Sequence, residues 1–206
     1  MLAFVNHSRG LWSRKCPQNR VFWEVDVLID RANSQLLVVD MQERLAPSIV
    51  DIASAEHHCG VLLQAAAILA VPVLISEQYR KGLGSTLPSL LAMAGVHQAF
   101  EKMEFSCFAN AALREALTVF DGRNTIICGT EAHVCVLQTV LEMRAAGEVV
   151  TVVADAIGSR RAESKSVAVE RMRAAGIDVV TSEMVLFEWL RTAAASEFKA
   201  VSRLIR

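Results

Sequence analysis

The sequence has 206 residues, of which 53% are hydrophobic, and a formal net charge of −1 at pH 7. A net charge close to zero provides no positive potential that would attract nucleic acid, so we expect no nucleic-acid partner. No apolar run reaches the roughly 18 residues that a membrane-spanning helix needs, so we expect no membrane partner. The length and the apolar fraction favour one compact α/β domain with strands buried on both faces.

The first 27 residues differ from the rest of the chain. They carry four basic residues and no acidic residue before Glu24. They lack the apolar core of a secretory signal, so we interpret 1–27 as an N-terminal extension, poorly ordered or due to a mis-annotated start, and 28–206 as the domain. The five cysteines are irregularly spaced, without a zinc pattern, and indicate a reducing compartment such as the cytoplasm. A mitochondrial transit peptide is the alternative reading of this Arg-rich start.

After this segment, short apolar runs alternate with segments of helical period. The predicted strands are 35–40, 72–76, 96–102, 124–128, 148–154 and 177–181. The predicted helices are 49–69, 87–91, 109–118, one through Cys135, 164–175, 184–190 and 195–205. Strands separated by helices require right-handed crossovers and a parallel sheet covered on both faces. The pattern predicts a three-layer α/β/α Rossmann-like fold whose six-stranded parallel sheet has the order 3-2-1-4-5-6.

Three residues that can take part in catalysis lie at the carboxyl ends of predicted strands: Asp40 ends the first, Lys102 ends the third and Cys135 comes after the fourth. Ligands of doubly wound sheets bind at the carboxyl ends of the strands, and this strand order would put Asp40 and Cys135 on either side of the switch point. Cys135 also lies at the first turn of a helix, where free N–H groups stabilise a thiolate. Singly, the three could be a helix N-cap, a solvated side chain and a structural thiol; together they favour a site.

Three motifs resemble the isochorismatase-like cysteine hydrolases, and among them the isochorismatase domain-containing proteins. The motifs are LLVVDMQERL at 36–45, EKMEFSCF at 101–108 and GTEAHVCVLQT at 129–139. The resemblance implies a catalytic triad in which Asp40 carries the proton, Lys102 supplies positive charge and Cys135 is the nucleophile. It also implies a cis peptide bond between Thr130 and Glu131, and an oxyanion hole formed by the backbone N–H groups of Glu131 and Cys135.

The segment after the second strand narrows the choice of substrate. Nicotinamidases of this family carry a metal-binding histidine there, whereas this chain reads SEQYR at 76–80. We therefore expect no metal and no cofactor. Gln78 could orient a small polar substrate, and Tyr79 and Phe105 could line the pocket, although all three could equally be packing residues.

The predicted function is hydrolysis of a small amide, imide or carbamoyl compound through a cysteine acyl-enzyme. The first alternative is an isochorismatase that hydrolyses a vinyl ether; Cys135 argues against it, because that branch commonly lacks the cysteine. The second alternative is a non-catalytic oligomeric module of the same fold. The apolar excess and a stripe of Phe198, Val201 and Leu204 predict a homo-oligomer.

Overall fold

The computed structural model describes residues 28–119 and 122–205, and it confirms the predicted sheet. Six parallel strands follow the order β3-β2-β1-β4-β5-β6. They are β1 Ser34–Val39, β2 Val73–Gln78, β3 His97–Lys102, β4 Asn124–Gly129, β5 Val150–Ile157 and β6 Asp178–Val180. The predicted N-terminal extension, 1–27, lies outside the described residues.

Helices cover both faces of the sheet. They are α1 Ile52–Leu69, α2 Arg80–Leu83, α3 Pro88–Met93, α4 Ala111–Thr118, α5 Leu137–Ala146, α6 Ala162–Ala174, α7 Ser182–Leu190 and α8 Phe198–Val201. A π-helical turn, Ala132–Val136, precedes α5. Within the described residues, no helix is long and apolar enough to cross a membrane.

The C-terminal segment differs from its prediction. A helix over 195–205 was expected, but the regular part is only the four residues of α8, flanked by turns. Val201 is buried in the core, and Phe198 and Leu204 pack against it. The apolar stripe is therefore used inside the chain and gives no support to an oligomer interface.

Two hydrophobic cores lie on opposite faces of the sheet. The first packs under α1, α3 and α7 and receives Leu36 and Val38 from β1; we call it the α1 face. The second packs under α4, α5 and α6 and receives Leu37 and Val39; we call it the α5 face. Successive side chains of a strand point to opposite faces, so a parallel strand covered on both sides is apolar throughout.

Candidate active site

Unusual backbone marks the carboxyl edge of three adjacent strands. Asp40 follows β1 with φ 50°, Tyr79 follows β2 with φ 40°, and Glu131 lies two residues after β4 with φ 55°. Left-handed backbone is uncommon for residues other than glycine, and it clusters at functional sites. β1 lies between β2 and β4, so this edge is also the switch point where doubly wound sheets bind ligands.

Asp40 and Lys102 form a buried ion pair at this edge of the sheet. Lys102 Nζ donates to Asp40 Oδ2 at 2.8 Å, and both side chains are fully buried. The Ser76 hydroxyl donates to Asp40 Oδ1 at 2.7 Å. The Thr130 hydroxyl donates to the main-chain oxygen of Asp40 at 2.6 Å. The carboxylate is thus fixed in orientation by one charged and one neutral donor.

The Lys102 ammonium is held by acceptors on several sides. Besides Asp40, it donates to Gln78 Oε1 at 2.6 Å and to the main-chain oxygens of Glu104 and Phe105 at 3.3 and 3.2 Å. Burial is the largest single influence and lowers the pKa of Lys102, but the charge and hydrogen bond of Asp40, together with Cys107 and Cys135, outweigh it, so the pKa is raised from its ordinary value. Lys102 is therefore a fixed positive charge at neutral pH.

Cys135 lies in the π-helical turn before α5 and is buried beside this pair. Burial raises the pKa of the Cys135 thiol far above its ordinary range, and the charge of Asp40 raises it further, whereas Lys102 lowers it. The structure therefore brings Asp40, Lys102 and Cys135 together. It also runs against the expectation of a resting thiolate, because burial and Asp40 raise the pKa more than Lys102 lowers it, which favours a resting thiol.

A second buried thiol, Cys107, lies in the same core as Cys135 and was not predicted. Its backbone N–H donates to Thr139 Oγ1 at 2.8 Å, and the same hydroxyl donates to the main-chain oxygen of Cys135 at 2.6 Å. Burial, and then Asp40, raise the pKa of Cys107 to about 11. Cys107 belongs to the EKMEFSCF motif, but only the fold shows that this segment returns to the start of α5.

The expected cis peptide bond in the turn that carries Cys135 is not found, and that prediction was wrong. Every peptide bond in 28–119 and 122–205, including that between Thr130 and Glu131, is trans. The left-handed conformation of Glu131 reverses the chain instead, and the N–H of Ala132 donates to the Gly158 oxygen at 2.8 Å. Gly129, with φ 126°, permits the close approach of β1, because a Cβ there would overlap the main-chain oxygen of Val39.

The side chain of Glu131 joins this turn to the segment after β5. Arg160 Nε lies 2.7 Å from Glu131 Oε1, and His133 Nδ1 lies 3.3 Å from Glu131 Oε2. His133 Nδ1 is also 3.1 Å from Ser159 Oγ. These contacts account for His133 as a residue of the turn, where it braces the backbone that presents Cys135.

The three predicted pocket residues differ in their surroundings. The side-chain amide of Gln78 is already engaged, since Nε2 donates to the Met103 oxygen at 2.8 Å while Oε1 accepts from Lys102. The side chains of Tyr79 and Phe105 are 45% and 56% exposed. The geometry thus makes Gln78 a support for Lys102 and leaves the two aromatic rings at the surface.

The site offers three reactive groups: the thiol of Cys135, the carboxylate of Asp40 and the ammonium of Lys102. Among the described residues, no group of three or more His, Cys, Asp or Glu side chains is placed to hold a metal ion. A buried carboxylate beside a thiol can act as its base, and a fixed ammonium can stabilise the charges that develop.

Comparisons with known proteins identify the family to which the chain is similar. The isochorismatase domain model matches residues 34–184. Isochorismatase domain-containing protein 1 of Salmo salar is 38% identical over 204 residues, covering 94% of this chain and 70% of that protein. The solved structure titled MAR1 ribonuclease from Caenorhabditis elegans is 35% identical with a TM-score of 0.82, covering 86% of this chain and 92% of that chain.

A more distant structure shares the fold alone. The YcaC gene product of Escherichia coli, described as an octameric hydrolase of unknown specificity, is 23% identical with a TM-score of 0.79. The likeness covers 87% of this chain and 89% of that chain.

Proposed function

The chain belongs to the isochorismatase family, and on that premise we propose that it is a cysteine hydrolase of a small amide, imide or carbamoyl compound. One observation carries the proposal: a buried Asp40–Lys102 pair lies beside the buried thiol of Cys135. A structural module would gain little from burying two charges and a thiol together, because desolvation of ions is costly.

The first half of the reaction is acyl transfer to Cys135. Because the pKa of this thiol is raised, Asp40 takes the proton as the sulfur attacks the substrate carbonyl. Lys102 stabilises the negative charge that moves between carboxylate and sulfur. The tetrahedral oxyanion is bound by the backbone N–H groups of Glu131 and Cys135, each worth roughly 3–4 kcal/mol in comparable sites.

The second half releases the products. Protonated Asp40 gives its proton to the leaving amine or ammonia, which leaves a thioester on Cys135. Asp40, again a carboxylate, deprotonates a water that attacks the thioester, and the carboxylic product leaves while the thiol is restored. Each proton that Asp40 accepts is returned, so the cycle requires no cofactor. With no histidine in the SEQYR segment, we expect activity to survive chelation and purified protein to lack stoichiometric metal.

The depth of the site favours a small substrate. Asp40 and Lys102 are fully buried, so only a small polar group can reach them. We assign Tyr79 and Phe105 to the walls of the entrance, where their exposed rings can contact the part of the substrate that does not react. Gln78 contributes by orienting Lys102.

Two competing substrates follow from the family and from the comparisons. A vinyl ether such as isochorismate would require acid catalysis by Asp40 and no nucleophile, so it would leave Cys135 without a role. The Caenorhabditis elegans protein is named a ribonuclease, which makes RNA the second competing substrate. The net charge of −1 gives this chain little electrostatic attraction for phosphates, so RNA serves here as the competing substrate in the test.

We further propose that the chain forms a homo-oligomer in the cytoplasm. The exposed side chains of Val96, Met103, Phe105 and Val167 supply apolar surface, and the YcaC protein of the same fold is described as octameric. The four described cysteines are free, which suits a reducing compartment; a mitochondrial location would depend on 1–27. Light scattering should give a multiple of 22.5 kDa, and a monomer at micromolar concentration would refute the assembly.

The decisive test is to trap the acyl-enzyme. The protein would be mixed with a panel of small amides, imides and carbamoyl compounds, quenched in acid and analysed by intact mass and peptide mapping. We expect a thioester adduct on Cys135 that is absent from Cys135→Ala. Isochorismate and a single-stranded RNA would be assayed in parallel, and turnover of either one by Cys135→Ala at the wild-type rate would contradict the proposal.

A further inference from the structure

Cys107 is a buried nucleophile that the proposed hydrolysis does not use. It is fully buried in the core of the α5 face, the same core that contains Cys135. It lies in the segment that follows β3, five residues after Lys102, whereas Cys135 lies at the start of α5. The fold therefore brings two thiols from distant parts of the chain to one side of the sheet.

One hydroxyl joins the main chains of these two cysteines. Thr139 Oγ1 accepts from the Cys107 N–H at 2.8 Å and donates to the Cys135 oxygen at 2.6 Å. Two hydrogen bonds through one hydroxyl hold these two residues near each other, and a disulfide would require their Cα atoms to lie about 4.4–6.8 Å apart. The two thiols also share electrostatic partners, because Asp40 and Lys102 act on both.

We propose that Cys107 and Cys135 form a reversible disulfide when the protein meets a peroxide, and that this bond switches off the hydrolase while protecting its nucleophile. The inference rests on the proposed function in one respect: Asp40 must be able to deprotonate Cys135. Nothing in the hydrolytic cycle itself calls for Cys107.

The chemistry balances in two steps with a peroxide as the oxidant. Asp40 accepts the Cys135 proton as the sulfur attacks one peroxide oxygen; the O–O bond breaks, giving a sulfenic acid on Cys135 and an alkoxide or hydroxide that takes the proton back. Cys107 then attacks the sulfenic sulfur, the S–O bond breaks, and the hydroxyl leaves as water with the Cys107 proton. Two thiols are oxidised by two electrons and one peroxide is reduced.

The α1 face offers a matched control pair. Cys59 and Cys128 are both fully buried there, and the Cys59 thiol donates to the Ala156 oxygen at 3.2 Å. Hydrogen bonding with Cys128 and then burial raise the pKa of Cys59, and the carboxylates that act on it, Asp155 and Glu56, raise it too. This pair has thiol proximity and burial without the Asp40–Lys102 ion pair, so it should stay reduced.

The experiment uses the full chain with Cys16, which lies outside the described residues, replaced by serine. The protein is exposed to hydrogen peroxide, blocked with N-ethylmaleimide and mapped by peptide mass spectrometry without reduction. We expect a Cys107–Cys135 cross-linked peptide that lacks two hydrogen atoms. Formation of this disulfide should abolish turnover and should be reversed by dithiothreitol, which should also restore turnover. If no substrate is yet known, iodoacetamide labelling of Cys135 replaces turnover as the readout.

Variants separate a resolving thiol from a structural one. In Cys107→Ala, or in Cys107→Ser if the alanine variant folds poorly, peroxide should still inactivate, but Cys135 should proceed to sulfinic and sulfonic acid and dithiothreitol should restore nothing. Cys128→Ala should behave as the parent protein. Recovery of Cys107→Ala by dithiothreitol, or sulfinic acid on Cys135 of the parent with Cys107 still reduced, would overturn the disulfide.

The same samples keep the two proposals apart. If Cys135 forms the thioester with an amide but no disulfide with Cys107, only the redox inference fails. If Cys135 reacts with neither amide, iodoacetamide nor peroxide, the proposed hydrolase fails and the redox inference fails with it.

Discussion

The α1 face and the α5 face of the sheet bury similar apolar side chains but differ in the charges beside them. Each face contains two fully or nearly fully buried cysteines, Cys59 and Cys128 on one and Cys107 and Cys135 on the other. Only beside the second pair does the described chain place a buried carboxylate paired with a buried ammonium. Under the proposed function, burial alone leaves a thiol unreactive, and the adjoining base and counter-charge are what make Cys135 a nucleophile.

Removal of one member of the proposed triad has the largest expected effect. Cys135→Ala and Asp40→Asn should each lower kcat by about 10⁴-fold or more, since groups that act as a unit lose activity together. Cys135→Ser should be nearly as damaging, because a hydroxyl is harder for a carboxylate to deprotonate. The measurement is steady-state turnover of a substrate identified by thioester trapping.

A double variant tests whether Asp40 and Cys135 act as one unit. Asp40→Asn combined with Cys135→Ala should be little worse than either change alone. Losses that add in this cycle would show that Asp40 and Cys135 act in separate sites.

The second prediction concerns the stability of the buried ion pair. Lys102→Met leaves the Asp40 carboxylate buried without its partner and should reduce the free energy of unfolding by about 3–5 kcal/mol. Lys102→Arg should restore this only in part, because a planar guanidinium does not fit a cavity made for an ammonium. Urea denaturation measures the change. Asp40→Asn with Lys102→Met should be more stable than Lys102→Met alone, and the reverse order would contradict the pairing.

The third prediction tests whether the α1 face contributes stability and little chemistry. Leu62 is fully buried there, so Leu62→Ala should reduce the free energy of unfolding by about 2–5 kcal/mol. Its kcat at a temperature well below the melting point should stay within about threefold of wild type, because the triad is untouched. Leu113→Ala on the α5 face is the matched control for lost volume. A large fall in kcat for folded Leu62→Ala would mean that the two faces are mechanically coupled.

Sequence patterns predicted the sheet well, because most of its strands are short apolar runs separated by segments of helical period, although β3 is largely polar. They also predicted that Asp40, Lys102 and Cys135 would lie together, because strand ends in a parallel sheet meet at one edge; their roles stay a prediction. They failed for 195–205, where an apolar stripe closes the chain's own core in turns instead of a helix. They also missed Cys107, since its place depends on a hydrogen bond to Thr139 that no spacing reveals.

The last and smallest expected effect is a loss of stability at alkaline pH, which both faces should share. The ordinary pKa of a cysteine is near 9.0, and burial raises the pKa of Cys107 to about 11 in the folded protein. Between these values, the unfolded chain loses a proton that the folded chain keeps. The folded state therefore binds more protons, and its free energy of unfolding falls as pH rises, by up to about 1.4 kcal/mol per pH unit for one such thiol.

Replacing single thiols isolates this effect. Urea midpoints measured at pH 8, 9 and 10 should fall less steeply in Cys107→Ala than in wild type, and Cys59→Ala should flatten the slope in the same direction because its pKa is also raised. Lys102, whose pKa is raised, adds to the slope only above about 10.5. If Cys59→Ala left the slope unchanged while Cys107→Ala flattened it, burial would not be the common cause. We expect alkaline sensitivity from buried thiols on either face, and reactivity at neutral pH only from the thiol that the proposed function places beside Asp40 and Lys102.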